Sequence, residues 1–396
     1  MLGNLIPGRF LRAGGYGLVL FCSVNTHAWH DLGHMMIGQL ASDQIVAKYP
    51  DVSGYMEKLL KKAQDYYSSD FNTDQLSDTA KAASFLDTYS SKNRDSKSWH
   101  YINGPYVPPG DYSKVDETAL SDAYSELPNA PIEIAVSLGV LQNSRDSIKD
   151  GEVSDEAAQA YIKLLHIVGD IHQPLHTMER FDEQNPQGDR GGNEFPISGV
   201  PGVDNLHSLW DSIGMKFGDV RWDDKDADTK LADALKSLKD FVGDKPNYPA
   251  DIQALSTMMD PWDLASGLYL AGKDLVYSGV EYNQTVSEAY QGKVQQYSQY
   301  LVYMAGQMLS DLLVFALTGQ EPESRSALSL RAYGSFNRTK AETVNQLRHV
   351  QEHQKYLASQ KAIEGKQASG DGITYSYWKI VNDWAAYHWP DRQLKK

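Results

Sequence analysis

Apolar residues recur at spacings of three and four through His34–Ala47, Asp155–Ile171, Lys230–Phe241 and Val286–Leu317, and no run sustains the alternation of a half-buried strand. Each such run carries one apolar stripe that must be buried against another, which predicts an all-α fold, a multi-helix bundle. Leu301–Leu317 is the most apolar stretch after residue 28, but Gln307, Ser310 and Asp311 interrupt it, so a buried core helix is predicted there and no membrane anchor. Hydrophobic residues at 41% and charged residues at 22% are ordinary for a soluble globular chain, which argues against disorder and against a membrane bundle. Gly, Pro, Asn and Asp crowd into Gly104–Asp111, Glu183–Asp204 and Asp244–Pro249, predicting long loops suited to a ligand-binding face.

Both ends differ from the middle. Residues 1–28 have the form of a signal peptide: Arg9 and Arg12, a short apolar run Tyr16–Val24, and Thr26-His27-Ala28 before Trp29, with cleavage expected between Ala28 and Trp29 and a secreted or periplasmic product. The single cysteine, Cys22, lies inside that leader, so the mature chain can form no disulfide. Past Gly319 and Pro322 the composition becomes polar. Residues 320–396 are expected to form a mainly helical extension of unknown role, in which His349 and His353 lie on a solvated face. The domain that carries the chemistry is placed at 29–319.

Net charge is −15, and taking away the positive charges of Arg9 and Arg12 leaves −17. Proteins that hold polyanions with side chains need basic patches, so any phosphate chemistry here must take its positive charge from bound metal. The histidines fit that demand. His166 and Asp170 are four apart and share a helix face, as do His207 and Asp211. The first pair is surrounded by Leu164, Leu165, Ile167, Val168 and Ile171, and buried charges need partners or a metal ion.

The strings LLHIVGDIHQPLH, GDRGGN, NLHSLWD, SWHYIN and WHDLGH, in their order and spacing over Trp29 to Leu317, resemble the zinc-dependent class I single-strand-specific nucleases of the phospholipase C/nuclease superfamily. The resemblance implies three Zn²⁺ ions. One of a close pair would be held by Asp87, His100, His166 and Asp170. The other would be held by the free amine and carbonyl of Trp29, by His34 and by a shared Asp170. The third, more distant ion would take His176, His207 and Asp211. It also implies in-line attack of activated water on phosphorus, with Asp87, Asp170 and Asn103 as catalytic candidates. Asn103 stands where many members have Asp. Tyr101 is the candidate base-stacking residue and Asn193 a further substrate contact, while Lys92 and Arg94 only loosely match the family's basic residue. The implied substrates are single-stranded RNA and DNA cut to 5′-phosphorylated products, with 3′-nucleotides as further substrates and no stable protein partner.

A zinc-dependent phospholipase C is the alternative. Two features oppose it: only four residues separate Trp29 from His34, and the last ligand is Asp211 where those enzymes use Glu. A catalytically dead zinc-binding module is a third reading, countered by the fact that every ligand position is filled. NQT at Asn283 and NRT at Asn337 are glycosylation sequons.

Overall fold

Residues 29–321 are described by the computed structural model, apart from 109, 112, 113, 117, 118 and 120–127. The expected leader and the C-terminal extension lie outside the described residues. The described part is an all-α bundle built from helices α1 (Asp31–Lys48), α2 (Pro50–Tyr67), α3 (Thr79–Ala82), α4 (Phe85–Lys92), α5 (Ala130–Asn143), α6 (Arg145–Asp150), α7 (Asp155–Asp170), α8 (Leu206–Asp211), α9 (Ala227–Val242), α10 (Pro261–Tyr277) and α11 (Glu288–Thr318). The four periodic runs fall within α1, α7, α9 and α11 and their immediate flanks. Local chemistry sets several of the boundaries. Ser154 caps α7 by accepting from the Ala157 amide, with Asp155 and Glu156 favourably placed in the first turn. Asn205 caps α8 in the same way, accepting from Ser208, and Ser287 caps α11.

Helix α11 is the axial element. By length and composition it could cross a membrane, but Leu301, Val302, Ala305, Met308, Leu309, Leu312 and Leu313 are each at most 1% exposed, so it is a core helix as its sequence implied. It packs on α1, where Gly306 lets the two backbones approach so closely that an added Cβ would sit 2.6 Å from Leu40 Cβ. Its C-terminus ends at Gly319 in the left-handed conformation, whose amide donates to Phe315 O (2.9 Å), and Arg145 donates to the carbonyls of both Phe315 and Ala316 in the last turn. Helices α5 and α7 form the second main packing pair.

Two short parallel pairings depart from the loop expectation. Strand β1 (Gly104–Tyr106) pairs with β2 (Met178–Arg180), and β3 (Ile197–Ser198) with β4 (Gln284–Thr285). The first pairing matters most. Together with the bond from the Ile102 amide to the His176 carbonyl (2.8 Å) and that from the Gly104 amide to Thr177 (3.2 Å), it lays the segment after His100 alongside the segment after His176.

Candidate metal centre

The His and Asp side chains expected as ligands converge in the folded chain. His34, His166 and Asp170 form one group, Asp87, His100 and His166 a second that shares His166, and His176, His207 and Asp211 a third. All of them are buried, from 0 to 7% exposed. In the joined groups His34 Nε2 lies 3.3 Å from Asp170 Oδ1, His166 Nε2 lies 3.3 Å from the same oxygen and 3.4 Å from Asp87 Oδ1, and His100 Nδ1 lies 2.9 Å from Asp170 Oδ2. The His34 and His166 rings stack at 3.8 Å. In the third group His207 Nε2 is 3.3 Å from Asp211 Oδ2 and 3.2 Å from His176 Nε2.

The outer nitrogens decide what these inner nitrogens can do. Carbonyl oxygens only accept, so Nδ1 of His166 on Ala83 O (2.7 Å), of His176 on His100 O (2.6 Å) and of His207 on Gly191 O (2.6 Å) must each carry a proton. In the neutral rings each Nε2 then holds only a lone pair. His176 and His207 therefore point two lone pairs at one another across 3.2 Å, an arrangement that needs a cation between them, a proton or a metal ion. His100 Nε2 bonds Ser90 Oγ (2.8 Å), itself bonded to Ser96 Oγ, which turns Nδ1 to the interior. Both oxygens of Asp170 and both ring nitrogens of His34 are buried, and beyond their close approaches to one another and to the His100 and His166 rings they have no hydrogen-bond partner. Donor atoms of this kind suit imidazole- and carboxylate-binding divalent cations such as zinc, with outer-nitrogen hydrogen bonds that fix ring orientation.

The protein groups polarise one another strongly. Burial and the neighbouring His166 hold His34 down to about 4, against the pull of Asp170. Burial also works against protonated His166, but Asp170, Asp87 and the Ala83 carbonyl outweigh it and push the pKa up to about 9. Burial raises Asp211 well above the usual carboxylate range even though Gln173 Nε2 donates to its Oδ1 at 2.7 Å.

Trp29 is wholly buried, with its indole N–H donating to Gly169 O at 2.9 Å, next to Asp170; Gly33 makes room for it, since an added Cβ would meet Trp29 Cβ at 2.6 Å. Tyr101 and Asn103, both half-buried, lie on the strip joining the clusters, and the Tyr101 carbonyl accepts from Ala130 at the start of α5. Asn193 donates its side-chain amide to Arg190 O (2.9 Å). Lys92 donates to Asp70 O and covers the Phe71 ring, an engagement away from the clusters. His172, with Nδ1 on Val168 O, is a buried packing residue.

Several supporting groups were not singled out from the sequence. Gln173 is one, and the Gly-Gly of GDRGGN another: Arg190, Gly191 and Gly192 all have positive φ, the turn that presents Gly191 O to His207. A Cβ on Gly191 would lie 2.5 Å from Leu175 O, so only glycine fits. Gln173 sits inside the histidine string LLHIVGDIHQPLH, and paired glycines near a candidate ligand are a visible signal, but neither reveals its long-range partner.

The S1/P1 Nuclease family profile matches residues 29–317, the same span that carries the clusters. The chain belongs to the S1/P1 nuclease family. Among the family's characterised proteins it is 24% identical to Nuclease S1 of Aspergillus oryzae over 193 residues, 47% of this chain and 54% of that one. To Nuclease P1 of Penicillium citrinum it is 26% identical over 187 residues, covering 46% and 57%. Endonuclease 1 of Arabidopsis thaliana is 24% identical over 292 residues, covering 69% and 82%. Alignment with the two fungal S1/P1 proteins thus spans little more than half their length. Membership favours the nuclease reading over the phospholipase alternative.

Proposed function

We propose that this chain is a secreted, zinc-dependent endonuclease that hydrolyses phosphodiester bonds of single-stranded RNA and DNA to 5′-phosphorylated products and also accepts 3′-nucleotides. The observation that carries the reading is the facing lone pairs of His176 and His207, with Asp211 beside them and the buried Asp170–His34 pair, partnered only by other members of the cluster, nearby. Such a donor set is built for cations.

Three zinc ions would be held by the residues assigned above: Asp87, His100, His166 and Asp170; Trp29, His34 and Asp170; and His176, His207 and Asp211. Bound there, the ions would supply about +3 of charge net of three carboxylates, neutralise phosphate and lower the pKa of water. That charge would reconcile a polyanionic substrate with an acidic protein. The chain's own groups hold geometry and protons. Nδ1–H bonds to carbonyls keep the three Nε2 lone pairs facing inward, and Gln173 fixes the tilt of Asp211. Asn103, three residues after His100, would orient the attacking water, with Asp87 and Asp170 in reach of its proton. Tyr101 would stack an unpaired base, which duplex DNA cannot offer, and Asn193 would add a polar contact to the substrate. The Trp29 amine can serve only if the leader is removed directly before it.

Incubation with single-stranded DNA, duplex DNA and phosphatidylcholine vesicles separates the readings. Cleavage of the single strand alone is expected, with 5′-phosphate ends, and His176→Ala should lower it by about a hundredfold or more. Vesicle hydrolysis without DNA cleavage would overturn the proposal.

A further inference from the structure

Lys163 and Glu133 form a buried ion pair that the chemistry above does not use. Lys163 lies on α7, three residues before His166 and seven before Asp170, and so on the face that carries both. Its ammonium is 2.6 Å from Glu133 Oε2 on α5, with Glu133 wholly buried and the Lys163 side chain 11% exposed. The same ammonium sits 3.7 Å from the centre of the Trp99 ring. Trp99 directly precedes His100 in the 3-10 segment Arg94–His100 and stacks on Tyr89, two residues after Asp87 on α4. One charge therefore touches α7, α5 and the His100 segment, and reaches α4 through Tyr89.

Resting on the metal-dependent reading above, we propose that Lys163, held by Glu133, is a positioning residue that clamps Trp99 and thereby fixes His100 against Asp170. Stability is a poor reason for the pair, because apolar groups of similar volume often replace a buried ion pair without loss. Placement is a better one. A short 3-10 segment has weak internal hydrogen bonds, and a cation centred over an indole resists sliding of the ring. The contact it protects, His100 Nδ1 to Asp170 Oδ2 at 2.9 Å, joins two ligands.

The test compares wild type, Lys163→Arg and the double variant Lys163→Met/Glu133→Leu for zinc affinity by chelator competition, kcat and KM on single-stranded DNA, and denaturant midpoint. The double variant should keep its midpoint but bind zinc at least about tenfold more weakly, with kcat lowered and KM unchanged; Lys163→Arg should restore both. Trp99→Leu, which leaves the ion pair in place, should reproduce the loss. The proposal is overturned if the double variant matches wild type in zinc affinity and kcat, if Lys163→Arg fails to rescue, or if the double variant does not fold, since the pair would then hold the fold and not His100. Wild type that binds no zinc sinks the metal reading along with it, whereas tight zinc binding by both wild type and double variant sinks only the positioning role.

Discussion

The Gly191 carbonyl and the Asp189 carboxyl show how much of the site is decided by single atoms two residues apart. Gly191→Ala would force a Cβ toward Leu175 O at a φ of 62°, costing about 1–3 kcal/mol. It should also turn the carbonyl off His207; the check is a lower denaturant midpoint together with loss of metal from the third cluster. Burial pushes Asp189 up to about 6 despite bonds from the Arg180 amide and the Tyr277 hydroxyl. A raised carboxyl pKa means that the folded state binds the proton more tightly than the unfolded one. Its contribution is therefore complete below about pH 4 and is lost as pH rises through about 6, some 3 kcal/mol in all by the usual ~1.4 kcal/mol per unit. Asp189→Asn should remove that loss, so the variant should gain on wild type between pH 4 and 6 in urea midpoints; a constant difference across that range would contradict it. The candidate His–Asp pairs were legible in the sequence because His166 with Asp170, and His207 with Asp211, declare themselves at a spacing of four. Their supports were not: a backbone carbonyl such as Ala83 O or Gly191 O has no letter of its own, and Gln173 finds Asp211 only across 38 positions.

Helix α1 shows how packing of a whole element sets the site. His34 lies in its second turn, and four residues on, Gly38 lets α1 rest on α3: an added Cβ would meet Thr79 O at 2.7 Å and Ala83 Cβ at 2.9 Å. Gly38→Ala should therefore push α1 outward, costing about 1–3 kcal/mol and weakening metal binding at His34; an unchanged midpoint in a denaturant titration would count against the close packing. Helix α9 was readable because solvent lies on one side and the core on the other, with Leu231, Ala234, Leu235, Leu238 and Val242 forming its buried stripe. Helix α5 was not singled out, since Ala130 through Leu138 is buried on nearly every side and leaves no stripe. Strands β1 to β4 escaped for a different reason: two or three residues are too few to show alternation.

Across the whole molecule the clusters are joined by backbone. The His100 carbonyl orients His176, the Ile102 amide bonds the His176 carbonyl, and the His30 amide bonds the Asp211 carbonyl. Residues from 29 to 211 thus meet in one buried region of an acidic chain, and that convergence, which no local pattern could display, is what the fold adds to the motifs. Anomalous diffraction at the zinc edge, recorded from crystals of protein whose first residue is established as Trp29, tests the convergence most directly. Three peaks are expected: one among Asp87, His100, His166 and Asp170, one between the Trp29 amine, His34 and Asp170, and one among His176, His207 and Asp211. Crystals soaked in zinc that give no peak among these residues would contradict it.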